Sequence, residues 1–238
     1  MEIKFLGTAD SGGIPVHNCL CSICEDYRVK NRQNLATCAY IESDNKEIIL
    51  LDAGVENISF IFGKKTIKAV MMTHFHPDHA LGLLRLRYSK DSIDCYHPKD
   101  KNGFSDLFKH KKAIIYHENV PFEKIIINEI EFTPIPLKHS KNTTGYLIES
   151  KNKTIAYLTD CAGLYNSSID FLKSKNIDEC YIDAGLSPNL SKGNHLHFEE
   201  ATKILDEIGA KKSFLIHTSH TILEHIKLNN IKLKYKYL

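Results

Sequence analysis

The stretch Thr73-His74-Phe75-His76-Pro77-Asp78-His79 places four potential metal ligands within six residues. It follows directly on an apolar run that ends at Met72, and such a run predicts a buried strand. Side chains two apart on an extended segment point the same way, so the first two histidines can converge on one ion. The aspartate and the third histidine, at the following turn, can face a second ion beside it. Because imidazole with carboxylate suits Zn, Mn or Fe rather than Ca, the stretch predicts a metal centre at a strand end.

A second cluster, Cys19-Leu20-Cys21-Ser22-Ile23-Cys24, holds three of the seven cysteines. Thiols this close together are poor disulfide partners for one another, but they can surround a tetrahedral zinc ion that still lacks a fourth ligand. The alternative is three reduced cysteines in a surface loop. The isolated cysteines are expected to be small buried hydrophobic residues, namely Cys38, Cys95, Cys161 and Cys180. This cysteine usage predicts a reducing cytoplasm rather than a disulfide framework.

Composition excludes several classes of protein. The 238 residues carry 31 Lys+Arg against 29 Asp+Glu, and this net charge of +2 argues against an electrostatic nucleic-acid binder. No apolar run approaches the ~18–20 residues of a membrane span. The first seven residues alternate like a strand and lack the apolar stretch of a signal peptide. We therefore expect one domain over 1–238, with a zinc-binding loop at about 17–25.

The secondary-structure pattern predicts many short strands and few long helices, and this favours a mixed α/β sandwich. Strands are predicted at 2–6, 36–42, 47–52, 67–73, 92–97, 125–128, 130–137, 144–149, 153–159, 178–183, 212–217 and 231–237. Helices are predicted at 78–87, 103–110, 166–175, 198–209 and 219–228.

The HxHxDH element after a strand resembles the metallo-β-lactamase superfamily of dinuclear metallohydrolases. The resemblance continues along the chain with Asp52 in an Asp-x-Gly element, and with His139, Asp160 and His217. It implies a four-layer αββα sandwich with the site along one edge of its two sheets.

The same resemblance implies a role for each ligand. One metal would take His74, His76 and His139, and the other would take Asp78, His79 and His217, with Asp160 bridging both. The metals would be Mn or Zn, with Fe as a further candidate. Asp52 is expected to orient a ligand or to make a turn hydrogen bond.

Within the superfamily, the N-terminal CxCxxC resembles the phosphodiesterase branch that accompanies the carbon–phosphorus lyase pathway. That branch implies a structural zinc held by Cys19, Cys21, Cys24 and His220. It also implies a catalytic histidine at His195, although His197 could exchange roles with it. The implied substrate is a small anionic cyclic phosphate, 5-phosphoribosyl 1,2-cyclic phosphate, which opens to ribose 1,5-bisphosphate. A homodimer is expected, and no nucleic acid or membrane partner.

The sequence does not decide which basic residue would bind the 5-phosphate of this substrate. Arg85, Arg87 and Lys138 are candidates, but a solvated or packing role suits each of them equally well.

Two other branches of the superfamily remain alternatives, together with a metal-binding or interaction module that has lost turnover. A tRNA 3′-processing endonuclease shares HxHxDH, but usually carries a basic arm that is not seen here. A quinone-cofactor biosynthesis protein has an N-terminal cysteine cluster, but typically departs from the full HxHxDH set. The complete set of ligand positions and His195 argue against the inactive module.

Overall fold

The computed structural model describes all residues, 1–238. The strands of the first sheet are β1 Ile3–Ala9, β2 Leu35–Ala36, β3 Cys38–Glu42, β4 Ile48–Leu51, β5 Ile67–Met71, β6 Ile93–His97 and β7 Ile114–Glu118. Those of the second sheet are β8 Ile125–Ile127, β9 Ile130–Leu137, β10 Thr143–Ser150, β11 Lys153–Leu158, β12 Glu179–Asp183 and β13 Lys212–Ile216. The helices are α1 Ser22–Val29, α2 Ile58–Ile61, α3 Pro77–Ala80, α4 Leu83–Leu86, α5 Asn166–Lys173, α6 Phe198–Ile208 and α7 His220–Leu228.

Three apolar cores hold the layers together. One lies between the two sheets, where Met71 and Ile49 pack with Phe132, Tyr146 and Tyr157. A second covers the outer face of the first sheet beneath α2 to α4, and a third covers the outer face of the second sheet beneath α5 and α6. The molecule is therefore the αββα sandwich predicted from the sequence. No helix is both long enough and apolar enough to cross a membrane.

Strand direction determines where the functional residues can meet. The first sheet has the order β2-β1-β3-β4-β5-β6-β7, and β4 to β7 run parallel. The second has the order β13-β12-β11-β10-β9-β8, in which β11, β12 and β13 are parallel. Because β10 is antiparallel to both β9 and β11, β9 runs in the same direction as β11. The carboxyl ends of these strands form one edge of the sandwich, which is where α/β sheets bind ligands.

Two predicted elements are wrong. Residues 103–110 form turns rather than a helix. Residues 231–237 are not a regular strand, although Ile231, Leu233, Tyr235 and Tyr237 do pack on the third core, as their alternation predicts. The backbone of this segment pairs with β13 only at an isolated bridge between Leu215 and Tyr237, so the alternation reflects burial without a ladder of hydrogen bonds.

Other differences concern short or polar elements. The predicted helix 78–87 is divided into α3 and α4 at Gly82, where a Cβ atom would lie 2.5 Å from the Ala53 carbonyl oxygen. The helix α1 was not predicted, because Cys24 is its only buried residue and gives no apolar period. The strand β7 was also missed.

Candidate active site

The proposed ligands follow strand ends at the carboxyl edge. Asp52 follows β4, His74 to His79 follow β5, His139 follows β9, Asp160 follows β11 and His217 follows β13. Three of these residues adopt the left-handed backbone conformation, with φ of 62° at Asp52, 56° at Asp160 and 61° at His217. Aspartate and histidine enter this region more readily than most residues, and the conformation turns the chain sharply just where the strand stops. Each side chain is thereby placed at the sheet edge.

The structure brings three histidines of the two sheets together. His74 Nε2 lies 2.8 Å from His76 Nδ1, and His139 Nε2 lies 3.3 Å from the same His76 atom. His139 is fixed from behind, because its Nδ1 donates to the carbonyl oxygen of Asn194 at 2.9 Å. One nitrogen from each histidine can therefore face a single cation.

A second group contains Asp78, His79, Asp160 and His217. The Asp160 carboxylate divides its oxygens between two histidines: Oδ2 lies 3.1 Å from His79 Nε2, and Oδ1 lies 3.3 Å from His217 Nε2. Asp78 Oδ2 lies 3.5 Å from His79 Nε2. Asp78, His79 and His217 are the residues that the resemblance assigns to the second metal, and Asp160 is the residue that it assigns to both.

The hydrogen bonding of this group supports a metal site. His79 Nε2 and both ring nitrogens of His217 are buried, yet they have no hydrogen-bond partner. Buried polar atoms normally have partners, and leaving them without one costs about 1–3 kcal/mol each. His79 and Asp160 approach each other without hydrogen-bond alignment, as two ligands of one cation would. The residues present therefore fit the metals that the superfamily implies. The bridging role of Asp160 stays a prediction.

Asp52 orients His79 rather than joining the ligands. The buried Asp52 carboxylate accepts hydrogen bonds from the Thr73 backbone N–H at 2.7 Å and from His79 Nδ1 at 2.8 Å. This contact fixes the His79 ring so that Nε2 points into the site. The geometry agrees with the role expected for Asp52 from the sequence.

The surroundings lower the pKa of one residue in each ligand group. Burial would raise the pKa of Asp160, but His217, His79 and His74 hold it well below its usual range, so the carboxylate is ionised. Burial, together with the neighbouring His79, lowers the pKa of His74 well below its usual value. A neutral imidazole has the lone pair that a metal ligand needs.

The sequence interpretation missed one candidate functional residue, Asp183 at the end of β12. Its buried carboxylate accepts hydrogen bonds from His195 Nδ1 at 2.7 Å and from the Cys161 backbone N–H at 2.8 Å. Burial opposes the charged imidazolium, but the hydrogen bond and charge of Asp183 outweigh it and raise the pKa of His195 to about 9. The His195 ring stacks on His217 with centroids 4.5 Å apart, so it borders the second ligand group.

A signal for Asp183 was present in the sequence. Asp183-Ala184-Gly185 repeats the Asp52-Ala53-Gly54 element, and each aspartate binds the Nδ1 atom of a histidine. Both glycines are required by close approaches. A Cβ atom at Gly54 would lie 1.5 Å from the Asp78 carbonyl oxygen, and one at Gly185 would lie 2.5 Å from His217 Nδ1.

His197 has a structural position. It is the N-cap of α6: its side chain accepts from the Glu199 backbone N–H at 3.4 Å, and its own N–H donates to Glu200 Oε2 at 3.2 Å. This reciprocal arrangement is a capping box, here with histidine in place of serine. The geometry thus favours His195 over His197 as the residue that faces the site.

The cysteine cluster meets His220 beside the active site. The Sγ atoms of Cys19 and Cys21 lie 3.3 Å and 3.4 Å from His220 Nδ1, and Cys24 belongs to the same group of ligand atoms. Cys24 lies within α1, so the group is not confined to a loop as predicted. A Cys3His set with converging ligand atoms fits structural zinc.

The three basic residues considered as candidates for binding the 5-phosphate lie in different places. Arg85 lines a cavity of about 450 Å³ together with Ile67 and Ile93, the first residues of β5 and β6, so it lies at the opposite edge of the sheet from the ligands. Arg87 is paired with Asp106 at 2.8 Å. Only Lys138, the neighbour of His139, is at the ligand edge.

A family model described as beta-lactamase superfamily domain matches residues 48–218, and the chain belongs to the metallo-β-lactamase superfamily. All seven residues of the two ligand groups lie within the matched range, which supports a metal-dependent hydrolase.

Two curated relatives match at low identity. The chain is 25% identical over 243 residues to an octanoyltransferase of Porphyromonas gingivalis, covering 92% of this chain but 46% of that protein, so it spans about half of that relative's length. It is 26% identical over 204 residues to coenzyme PQQ synthesis protein B of Methylorubrum extorquens, covering 69% of this chain and 67% of that protein.

Solved structures share the fold. A diphosphatase from the PhnP family superposes with a TM-score of 0.81 at 24% identity, covering 99% of this chain and 92% of that one. The short form of human tRNase Z superposes with a TM-score of 0.70 at 18% identity, covering 100% of this chain and 96% of that one.

Proposed function

We propose that this protein is a phosphodiesterase that hydrolyses a small cyclic phosphodiester, with 5-phosphoribosyl 1,2-cyclic phosphate as substrate and ribose 1,5-bisphosphate as product. The observation that carries the proposal is His195, held by the buried Asp183 and stacked 4.5 Å from His217 beside the second ligand group. A proton donor next to two converging ligand groups is the arrangement that phosphodiester hydrolysis needs. The resemblance to the PhnP-family diphosphatase agrees with phosphate chemistry.

The metals would be held by the two ligand groups. His74, His76 and His139 would bind one, and Asp78, His79 and His217 the other, with Asp160 between them; Mn or Zn is proposed, with Fe as a further candidate. When bound, such metals supply a water molecule that is deprotonated at neutral pH and neutralise charge on the phosphate oxygens.

The chain itself supplies the proton. When the oxygen of a water molecule forms a bond to phosphorus, one phosphorus–oxygen bond of the ring breaks and its electron pair stays on the leaving oxygen. That oxygen then takes a proton, and His195 is positioned to donate it. Because Nδ1 of His195 is bound to Asp183 at 2.7 Å, Nε2 is the nitrogen that remains for the substrate.

A substrate comparison tests this proposal. The purified protein, supplied with Mn and Zn separately, is assayed on bis(p-nitrophenyl) phosphate, 2′,3′-cyclic nucleotides, 5-phosphoribosyl 1,2-cyclic phosphate and a precursor tRNA. We expect the highest kcat/KM on the phosphoribosyl compound, with the bisphosphate product identified by ³¹P NMR. Preference for the precursor tRNA would favour the endonuclease alternative, and absence of turnover on all four would overturn the proposal.

A further inference from the structure

Thr73 lies directly before His74 and is completely buried just beyond the end of β5. The neighbouring strand β4 runs parallel to β5, and beyond its last residue the Asp52 N–H donates to the Met71 carbonyl oxygen at 3.0 Å. The Thr73 N–H then donates to Asp52 Oδ1 at 2.7 Å, so the carboxylate takes the place of a backbone carbonyl in the parallel ladder. From the other sheet, the Thr144 N–H donates to the Thr73 carbonyl oxygen at 3.0 Å. Both sheets therefore fix the backbone of Thr73.

The hydroxyl group of Thr73 lies between a carboxylate and a proposed metal ligand. Thr73 Oγ1 is 3.0 Å from Asp52 Oδ1, 2.9 Å from Asp52 Oδ2 and 3.0 Å from His74 Nδ1. The same carboxylate accepts from His79 Nδ1 at 2.8 Å. Asp52 is thus connected to a histidine of each ligand group, directly to His79 and through the Thr73 hydroxyl to His74.

The available hydrogens give these contacts a direction. Both Asp52 oxygens accept from N–H groups, Oδ1 from Thr73 and Oδ2 from His79, so the carboxylate also accepts the hydroxyl hydrogen of Thr73. The hydroxyl oxygen is then left to accept a hydrogen from His74 Nδ1. An imidazole with its hydrogen on Nδ1 has its lone pair on Nε2, and His74 Nε2 is the atom that lies 2.8 Å from His76 Nδ1. With the hydrogen on Nε2 instead, this nitrogen could not bind a metal.

We propose that Thr73 is a positioning residue for metal binding. Its hydroxyl group connects Asp52 to His74, holds the hydrogen of that imidazole on Nδ1, and thereby directs Nε2 toward the cation of the first ligand group, which is formed by His74, His76 and His139. Asp52 then serves both ligand groups, and occupancy of the first depends on the Thr73 hydroxyl. This inference concerns how the chain holds its metals, so it is independent of the proposed substrate.

Valine and serine separate the hydroxyl group of Thr73 from its shape. Thr73→Val keeps the branched side chain but leaves His74 Nδ1 buried without a partner. Because hydrogen bonds to ligating histidines are worth about 10- to 100-fold in metal affinity, we expect Thr73→Val to weaken Mn binding at the first group by that factor and at the second group much less. Thr73→Ser keeps the hydroxyl and should bind both ions like the unaltered protein.

Dialysis of the purified full chain against a series of Mn concentrations, followed by elemental analysis, measures both binding steps. His139→Ala identifies the step that belongs to the first group, because it removes a ligand of that group alone. Asp52→Asn should weaken both steps, since the carboxylate contacts a histidine of each group directly or through Thr73.

Thr37→Val is the matched control. Thr37 is equally buried, and its hydroxyl donates to the Ala9 carbonyl oxygen at 2.9 Å, so the variant loses a buried hydrogen bond that does not lead to a ligand. It should bind Mn like the unaltered protein, and the melting temperatures of all variants show whether each is folded.

The hydrogen on His74 gives a readout that a merely structural role would not change. In ¹⁵N NMR spectra of the zinc-loaded protein, we expect His74 to show an Nδ1–H that exchanges slowly with solvent, because this hydrogen is bound to Thr73 Oγ1. The slow exchange should persist in Thr73→Ser and be lost in Thr73→Val.

Several outcomes would overturn the proposal. They are unchanged Mn binding in Thr73→Val, equal weakening of both groups in that variant, an equal loss in Thr73→Ser or in Thr37→Val, and a His74 hydrogen found on Nε2. If Thr73→Val does not fold, Thr73→Ala takes its place against Thr73→Ser in the same measurements.

Discussion

At the residue scale, two buried aspartates have the same role, which is to orient a histidine. Asp52 and Asp183 each end a strand region with the sequence Asp-Ala-Gly, are buried, and accept a hydrogen bond from the Nδ1 atom of a histidine. Each therefore fixes which nitrogen of its histidine faces the site. The two histidines differ in where they point: His79 is turned toward the ligand group, and His195 toward the place where the proposed substrate would lie.

The role of His195 gives the first prediction. Because His195 is proposed as a proton donor and not as a ligand, His195→Ala should lower kcat about 10²- to 10⁴-fold while the metal content stays unchanged. Steady-state kinetics and elemental analysis on the same preparation measure both quantities. Unchanged turnover would rule out the role, and loss of metal would make His195 a ligand instead.

Asp183 should act through His195. The variant Asp183→Asn keeps an oxygen that can accept one hydrogen bond but removes the charge beside the imidazole, so we expect kcat to fall about 10- to 100-fold. The double variant with His195→Ala should be no slower than His195→Ala alone, because residues that act as a unit are not additive. If the two losses multiply, Asp183 contributes independently of His195.

At the scale of elements, α6 is delimited at both ends by its sequence. His197 and Glu200 form its capping box, and Gly209 ends it with a φ of 71°, the left-handed conformation that glycine accepts without strain. Phe198, Ala201, Leu205 and Ile208 face the core of the second sheet. The helix start also places the preceding loop, with His195, over the site.

Because His197 caps α6, we predict that another capping residue can replace it with little effect on stability or activity. Serine is a good N-cap, so His197→Ser should retain the stability of α6 and change kcat/KM by no more than about twofold. His197→Ala should lower the free energy of unfolding by about 0.5–2 kcal/mol through loss of the cap. Denaturant unfolding and kinetics on both variants provide the measurement. A large loss of kcat in the serine variant would restore His197 as the catalytic alternative.

At the scale of the whole molecule, the cysteine site joins distant parts of the chain. Ala9, at the end of β1, bridges to Thr218, which follows β13, so the two sheets meet at the ligand edge. The segment with Cys19 to Cys24 then lies against the start of α7, where His220 is the first residue. A zinc ion here would hold α1 against α7, three residues from His217, a proposed ligand of the active site.

Removing one of these thiols should affect only that site. In Cys21→Ser we expect one zinc fewer per chain, a lower melting temperature and an unchanged content of active-site metal, because the two sites share no ligand. Elemental analysis and thermal unfolding measure these effects. Glu224→Gln is the control, since it weakens the contact with the Ser22 N–H in the same interface without touching a thiol. Zinc content equal to that of the unaltered protein would contradict the assignment.

The proposed homodimer and the cytoplasmic location stay predictions at this scale. The predicted sandwich is confirmed, as are most of its strands, because inward-facing apolar runs of Ile, Leu and Val can be recognised locally. The predictions for 103–110 and 231–237 were wrong because each segment has an apolar period, yet the first forms turns and the second pairs with β13 only at an isolated bridge. The helix α1 was missed because only one of its residues, Cys24, is buried, so it has no apolar period.

The sequence by itself determined the superfamily and predicted the ligand types, because HxHxDH and CxCxxC are local patterns whose spacing follows from backbone geometry. Only the tertiary structure paired Asp183 with His195 and showed that His197 caps a helix. It also showed that Lys138, and not Arg85 or Arg87, lies at the ligand edge. The physical reason is strand direction. A residue before a strand and a residue after it lie at opposite edges of the sheet, and which strands run parallel is decided by long-range pairing that no local pattern contains.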